Sequence, residues 1–139
     1  MPDTSSLSQL AQAARAARAS AYAPYSKFRV GAAVLLANGE TVTGANIENA
    51  SYGLTCCAER VAMFAATAHH PGVRITALAV SAGDDHIRHD SDNGRMPCGA
   101  CRQVMMELMP ADSPVWIDGV GELSLSTLLP TPFKLRTDI

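Results

Sequence analysis

Phe28-Arg29-Val30-Gly31-Ala32-Ala33-Val34-Leu35-Leu36-Ala37-Asn38-Gly39-Glu40-Thr41-Val42-Thr43-Gly44-Ala45 is the stretch that decides the fold. Residues 28–37 are strand-like, and residues 40–45 return as the partner strand. Between them Asn38-Gly39 predicts a type I′ turn, whose two central residues both need positive φ. Away from this hairpin apolar residues recur at helical spacing. Upstream, Ser6-Leu7-Ser8-Gln9 reads as a capping box. Leu7, Leu10, Ala11, Ala14 and Ala21 then share a helical face, until Pro24 bars continuation. Downstream, residues 57–68 are helical, with Ala58, Val61, Ala62 and Ala65 as the apolar face. Residues 74–82 and 114–118 read as buried strands, and residues 98–109 as a helix ended by Pro110. Helix, hairpin, helix, strand, helix, strand predicts a layered α/β fold, with parallel pairing around the later crossovers.

The whole chain, 1–139, is the size of a single domain. With 47% hydrophobic residues and a net charge of −2, it fits neither disorder nor a phosphate-binding electrostatic footprint, so no nucleic-acid partner is expected. The longest apolar stretch, 30–37, falls far short of the ~20 residues of a membrane span. Asp3 and the lack of an apolar leader argue against a secretory signal. Arg15 and Arg18 in an Ala-rich helix only weakly mimic a transit peptide, so a cytoplasmic protein is expected. Residues 83–96 carry Asp84, Asp85, His86, Arg88, His89, Asp90 and Asp92 with almost no apolar side chains. They read as a solvated loop rather than a second metal site built on His86 and His89.

Four cysteines stand at 56, 57, 98 and 101. Outside an oxidising compartment such clustering points to metal or catalysis rather than to disulfides. In Pro97-Cys98-Gly99-Ala100-Cys101-Arg102-Gln103 the i,i+3 spacing puts both thiols on one helical face. Helix N-termini favour thiolate over thiol, and Cys57-Ala58-Glu59 stands at a second such terminus. Two helix starts converging on one cation would supply three thiolates, a set that suits zinc with a fourth position left for water. A closed four-cysteine structural zinc is the rival reading. Consecutive helical residues point about 100° apart, so Cys56 and Cys57 do not readily share an ion. A redox C-x-x-C is a further rival, but explains neither Cys57 nor Glu59. Zinc with three thiolates is anionic, which predicts a compensating cation, either Arg60 or Arg102.

These pieces resemble the zinc-dependent nucleoside deaminases, specifically the short-chain tetrameric cytidine deaminases. The likeness extends to Tyr22-Ala23-Pro24-Tyr25-Ser26-Lys27-Phe28, to Gly44-Ala45-Asn46-Ile47-Glu48-Asn49-Ala50-Ser51-Tyr52, and to Leu128-Leu129-Pro130-Thr131-Pro132-Phe133. It covers roughly residues 20–133 in order. The three-cysteine deaminase signature and its non-ligating glutamate are an established pattern. The resemblance implies a three-layer α/β/α fold with a central mixed β-sheet, and one zinc per subunit held by Cys57, Cys98 and Cys101. Glu59 would be the proton shuttle and Arg60 the cation that offsets the thiolates. Phe28 would pack on the pyrimidine, Asn46 and Glu48 would bond the ribose hydroxyls, and the Ala58 backbone would read the base. Ala50, Tyr52 and Phe133 would complete a neighbouring subunit's pocket in a homotetramer. Cys56 would be a bystander.

The implied reaction is hydrolysis of cytidine and 2′-deoxycytidine to uridine and 2′-deoxyuridine with release of ammonia. Read from the residues, this chemistry needs a nucleophile at neutral pH and one group that moves a proton twice. Glu59, two residues beyond a ligand, meets the second need. The other readings are a deaminase of another aminopyrimidine nucleoside such as blasticidin S, and a non-catalytic, zinc-stapled binding module. Glu48 beside the sugar would repel a phosphate, which favours a free nucleoside.

Overall fold

The computed structural model describes residues 2–83 and 92–136. Helix α1 (Thr4–Ala17) precedes strands β1 (Val30–Leu36) and β2 (Thr41–Ala45), then helix α2 (Ala58–His69) and strand β3 (Ile75–Ala82). Helix α3 (Gly99–Leu108), strands β4 (Pro114–Ile117) and β5 (Gly121–Ser124) and the single-turn helix α4 (Leu125–Leu128) complete the order. The five strands form one mixed sheet in the order β2-β1-β3-β4-β5. Among the described strands only the β3–β4 pair, joined through α3, is parallel. The α2 crossover instead carries the chain from β2 past β1 to its far side, where β3 pairs antiparallel with β1.

Strand alternation divides the core into two layers. Ala32, Val34 and Leu36 of β1, with Leu78 and Val80 of β3 and Val115 and Ile117 of β4, face α2 and α3. Ala33, Ala77 and Ala79 face Leu7, Leu10, Ala11 and Ala14 of α1. The alanines on this second side let α1 lie close to the sheet. The three layers agree with the fold implied by the resemblance.

Several local expectations are corrected. Helix α1 is capped by Asp3, whose carboxylate accepts from the Ser6 amide at 2.8 Å, and not by a box opening at Ser6. An acidic cap also complements the helix dipole. Ala21 lies beyond the helix, because the chain tightens into a 3-10 turn over Arg18–Ser20. The hairpin turn is not type I′: Gly39 has φ +89°, but Asn38 does not have positive φ. The Gly39 amide donates to the Leu36 carbonyl and the Leu36 amide to the Glu40 carbonyl, as in a type I turn closed by a left-handed glycine. On α2 the buried stripe is Ala58, Glu59, Ala62, Met63 and Ala66, so Val61 and Ala65 stand at its margin. The hairpin partner β5 and helix α4 are elements the sequence pattern did not reveal. Residues 84–91, with His86 and His89, lie outside the described residues.

Candidate active site

The sheet brings two helix starts together. Cys57 is the N-cap of α2 and Cys98 the N-cap of α3, both in extended backbone conformation, while Cys101 is buried in the first turn of α3. The Cys57 and Cys98 Sγ atoms are 3.9 Å apart and those of Cys98 and Cys101 3.6 Å apart. All three lie within 4.8 Å of one another. Three thiolates about 2.3 Å from one tetrahedral ion would stand roughly 3.8 Å apart, so the cluster fits zinc without rearrangement. Cys56 is not among the three clustered thiols; its backbone bridges antiparallel to Ile47, and burial pushes its thiol up.

The electrostatics follow the same design. Hydrogen bonding from the Cys101 thiol, reinforced by the Arg60 guanidinium, holds Cys57 down at about 5. The same contact, with burial, pushes Cys101 upward. Arg60 Nη2 is 3.3 Å from Cys57 Sγ. Arg102, the other candidate cation, donates instead to the carbonyls of Pro97 and Leu128, at 2.8 and 2.9 Å. It ties the start of α3 to the end of α4 and does not touch a thiol. Glu59 is 4% exposed. Burial, with the negative Cys57 beside it, raises its carboxyl to about 7.

A cleft of about 290 Å³ opens at this end of the sheet. Phe28, Asn46, Glu48, Tyr52, Ala58 and Glu59 line it beside Cys57 and Cys98. A larger hollow of about 690 Å³ at the other end of β1, near Arg74 and Asp112, contains none of the predicted site residues.

Asn46 and Glu48 do more than face the cleft. Asn46 Oδ1 accepts from the Val30 amide and its Nδ2 donates to the Phe28 carbonyl, both at 2.9 Å. Glu48 accepts from the Tyr25 and Ser26 amides at 3.0 and 3.1 Å, and from the Ser26 hydroxyl. The Ser26 contacts hold its carboxyl below the usual carboxylate range. Both side chains therefore clamp the segment that presents Phe28, in which Lys27 adopts a left-handed φ of 61°. This clamping role was legible only as loop capping.

Ala50 and Phe133 do not line this cleft. Ala50 is exposed, as are Tyr52 at 89% and Phe133 at 68%. The Phe133 carbonyl is held by Gln103 Nε2 at 2.8 Å, which fixes the C-terminal segment against α3. Arg95 also lines the cleft, and sequence reasoning missed it because it falls in the charged segment read as a solvated loop.

A buried carboxyl above a three-thiol cluster, at the mouth of a mixed sheet, defines a zinc-dependent deaminase architecture. The family described as "Cytidine and deoxycytidylate deaminase zinc-binding region" matches residues 4–116, and the chain belongs to it. A cytidine deaminase of Halalkalibacterium halodurans is 50% identical over 117 residues, spanning 81% of this chain and 82% of that protein. The crystal structure of cytidine deaminase from Mycobacterium tuberculosis matches with a TM-score of 0.78 at 41% identity, over 93% of this chain and 98% of that one. That of Burkholderia pseudomallei cytidine deaminase matches with 0.76 at 44% identity, over 91% and 98%.

Proposed function

We propose that the chain hydrolyses cytidine and 2′-deoxycytidine to uridine and 2′-deoxyuridine, releasing ammonia, as a step of pyrimidine salvage. The observation that carries this reading is Glu59, a carboxyl 4% exposed and raised to about 7, set two residues beyond Cys57 at the start of α2. Cys57, Cys98 and Cys101 would hold a zinc ion, which would make water a nucleophile at neutral pH. Water adds across the C4–N3 bond of the base, and the amine then leaves carbon 4. Glu59, poised near the working pH, delivers a proton to N3 and then one to the departing amine. Arg60 offsets the thiolate charge through Cys57.

Phe28 packs on the pyrimidine, held in place by the Asn46 and Glu48 clamp. The same two side chains offer the sugar its hydrogen bonds, and the Ala58 backbone reads the base. The carboxylate of Glu48 disfavours a phosphate, so a free nucleoside is the substrate. Ala50, Tyr52 and Phe133, exposed in one chain, complete the pocket of a neighbouring subunit in a homotetramer. No helix among the described residues is long and apolar enough to cross a membrane, which is compatible with a cytoplasmic enzyme.

The test is cytidine turnover by ultraviolet absorbance for wild type and Glu59→Gln, with zinc content measured on both. A zinc-loaded, inactive Glu59→Gln supports the mechanism. Equal activity of the two refutes it, and a zinc-loaded wild type inert towards cytidine would instead favour a different aminopyrimidine or a purely structural metal.

A further inference from the structure

Ser26 stands between two residues of the cleft and bonds both. Its hydroxyl oxygen accepts from the Phe28 amide at 3.0 Å, and the hydroxyl donates to Glu48 Oε2. The first contact closes a turn two residues on, around Lys27 with its left-handed φ of 61°. A serine hydroxyl has one proton, and an ionised carboxylate only accepts, so the direction of both bonds is fixed. Glu48 is ionised near neutrality, because the Ser26 hydroxyl holds its carboxyl below the usual carboxylate range.

Glu48 has little accepting capacity to spare. A carboxylate offers about four lone-pair positions. Oε1 takes the Tyr25 and Ser26 amides at 3.0 and 3.1 Å, and Oε2 takes the Ser26 hydroxyl. One position remains, and it is on Oε2. Among the described residues that oxygen is held by the serine alone, whereas Oε1 is tied to backbone. Ser26, Phe28 and Glu48 all line the cleft, so a sugar there meets a carboxylate with room for one donor.

We propose that Ser26 is a positioning residue, whose hydroxyl, locked by the Phe28 amide, sets the last free acceptor of Glu48 for a single sugar hydroxyl. The proposal rests on the deaminase reading above, because that reading puts the sugar at Glu48. Ser26 itself forms and breaks no bond in the reaction. Without its hydroxyl, Oε2 loses its only anchor and the carboxylate can turn about its bonds to the backbone amides.

The experiment compares cytidine with 2′,3′-dideoxycytidine, which lacks both ring hydroxyls, in zinc-loaded wild type, Ser26→Ala and Ser26→Thr. Enzyme is kept in excess over nucleoside, so that slow turnover still registers. Steady-state runs on cytidine then separate KM from kcat. The ratio of kcat/KM for cytidine to that for the dideoxynucleoside should fall about tenfold in Ser26→Ala, carried mainly by KM for cytidine. Ser26→Thr keeps the hydroxyl and should keep most of the ratio. A loss in Ser26→Ala shared equally by both nucleosides overturns the proposal, since the serine would then serve only to hold Phe28. Unaltered cytidine kinetics in Ser26→Ala overturn it too, as does a wild-type ratio at or below one, a result that needs no variant to fold. Turnover of cytidine with an unmoved ratio removes the role of Ser26 alone. A zinc-loaded wild type that converts neither nucleoside removes the deaminase reading and the proposal with it.

Discussion

Gly44→Ala tests how α2, the helix that opens on Cys57 and Glu59, is positioned. Gly44 lies on β2, and α2 crosses it backbone against backbone. A Cβ there would stand 2.5 Å from the Ala62 nitrogen, 2.8 Å from the Ala58 carbonyl oxygen and 2.9 Å from the Ala62 Cα. None of these atoms belongs to a flexible side chain, so restoring ordinary contact near 3.4 Å means lifting α2 by about 1 Å. Ala58 directly follows Cys57 and precedes Glu59, so the lift is transmitted to a thiol and to the buried carboxyl. Overpacking of this kind costs about 1–3 kcal/mol, a fall of roughly 3–10 °C in Tm for a chain of this size. A 1 Å misplacement of reacting groups costs on the order of 10²-fold in rate. The expected variant is therefore folded, less stable, and disproportionately poor in kcat and zinc retention. Gly31→Ala supplies the contrast. Its Cβ would meet the Ala14 carbonyl oxygen at 2.0 Å and the Arg18 nitrogen at 2.7 Å, on the α1 side of the sheet. It should lose at least as much stability while keeping zinc stoichiometry and most of its activity at a temperature where it is folded. Thermal melts, zinc analysis and steady-state rates on both variants decide the matter. A Gly44→Ala protein with wild-type Tm and kcat, or a Gly31→Ala protein with the larger kcat defect per degree of Tm lost, would refute the reasoning.

Arg60→Gln removes the guanidinium 3.3 Å from Cys57 Sγ, and the thiol should rise above its present value of about 5. Zinc should then be lost at a higher pH than from wild type, and activity should fall; an unaltered pH profile of zinc content would show that Arg60 does not stabilise the thiolate. Asp118→Asn weakens the bidentate contact with Arg15, whose Nε and Nη2 reach the carboxylate at 3.0 and 2.7 Å. That contact and the Ser81 hydroxyl hold the Asp118 carboxyl below its ordinary value. A lowered folded-state pKa stabilises above the unfolded value and is lost as pH falls through the folded one. The wild-type advantage, about 1 kcal/mol or less for a partly exposed pair, should be full at pH 7 and shrink below about pH 4. A gap in Tm that stays constant down to pH 2 would contradict it.

Much of the site was legible because its chemistry is carried in short local spacings. Cys98 and Cys101 are one turn apart, and Glu59 follows Cys57 by two positions, so helical geometry alone sets their faces. The choice between Arg60 and Arg102 was not legible. Both directly follow a site residue, and only the packing of α4 against α3 draws Arg102 away to the Leu128 carbonyl. Asn46 and Glu48 were readable as cleft residues, but their clamp on residues 25–30 depends on β2 ending beside the entry to β1. The short β5 and the one-turn α4 escaped because four residues each carry too little periodicity to rise above a loop. The apolar stripe of α2 was displaced for a related reason. A helix rich in alanine offers several nearly equivalent faces, and the close approach at Gly44 selects the one that buries Glu59.

By itself the sequence determined the spacing of Cys98 and Cys101, that of Cys57 and Glu59, and the alternation of helices and strands, since each rests on neighbours along the chain. Tertiary structure decided the rest. The pairing order of the strands brings two helix N-caps, 41 residues apart, to thiol separations of 3.9 Å. The glycine contact beneath α2 fixes the depth of Glu59, and burial at that depth sets its proton affinity. Distances and desolvation of this kind belong to residues remote in the chain, and they exist only once the sheet has closed the space between them.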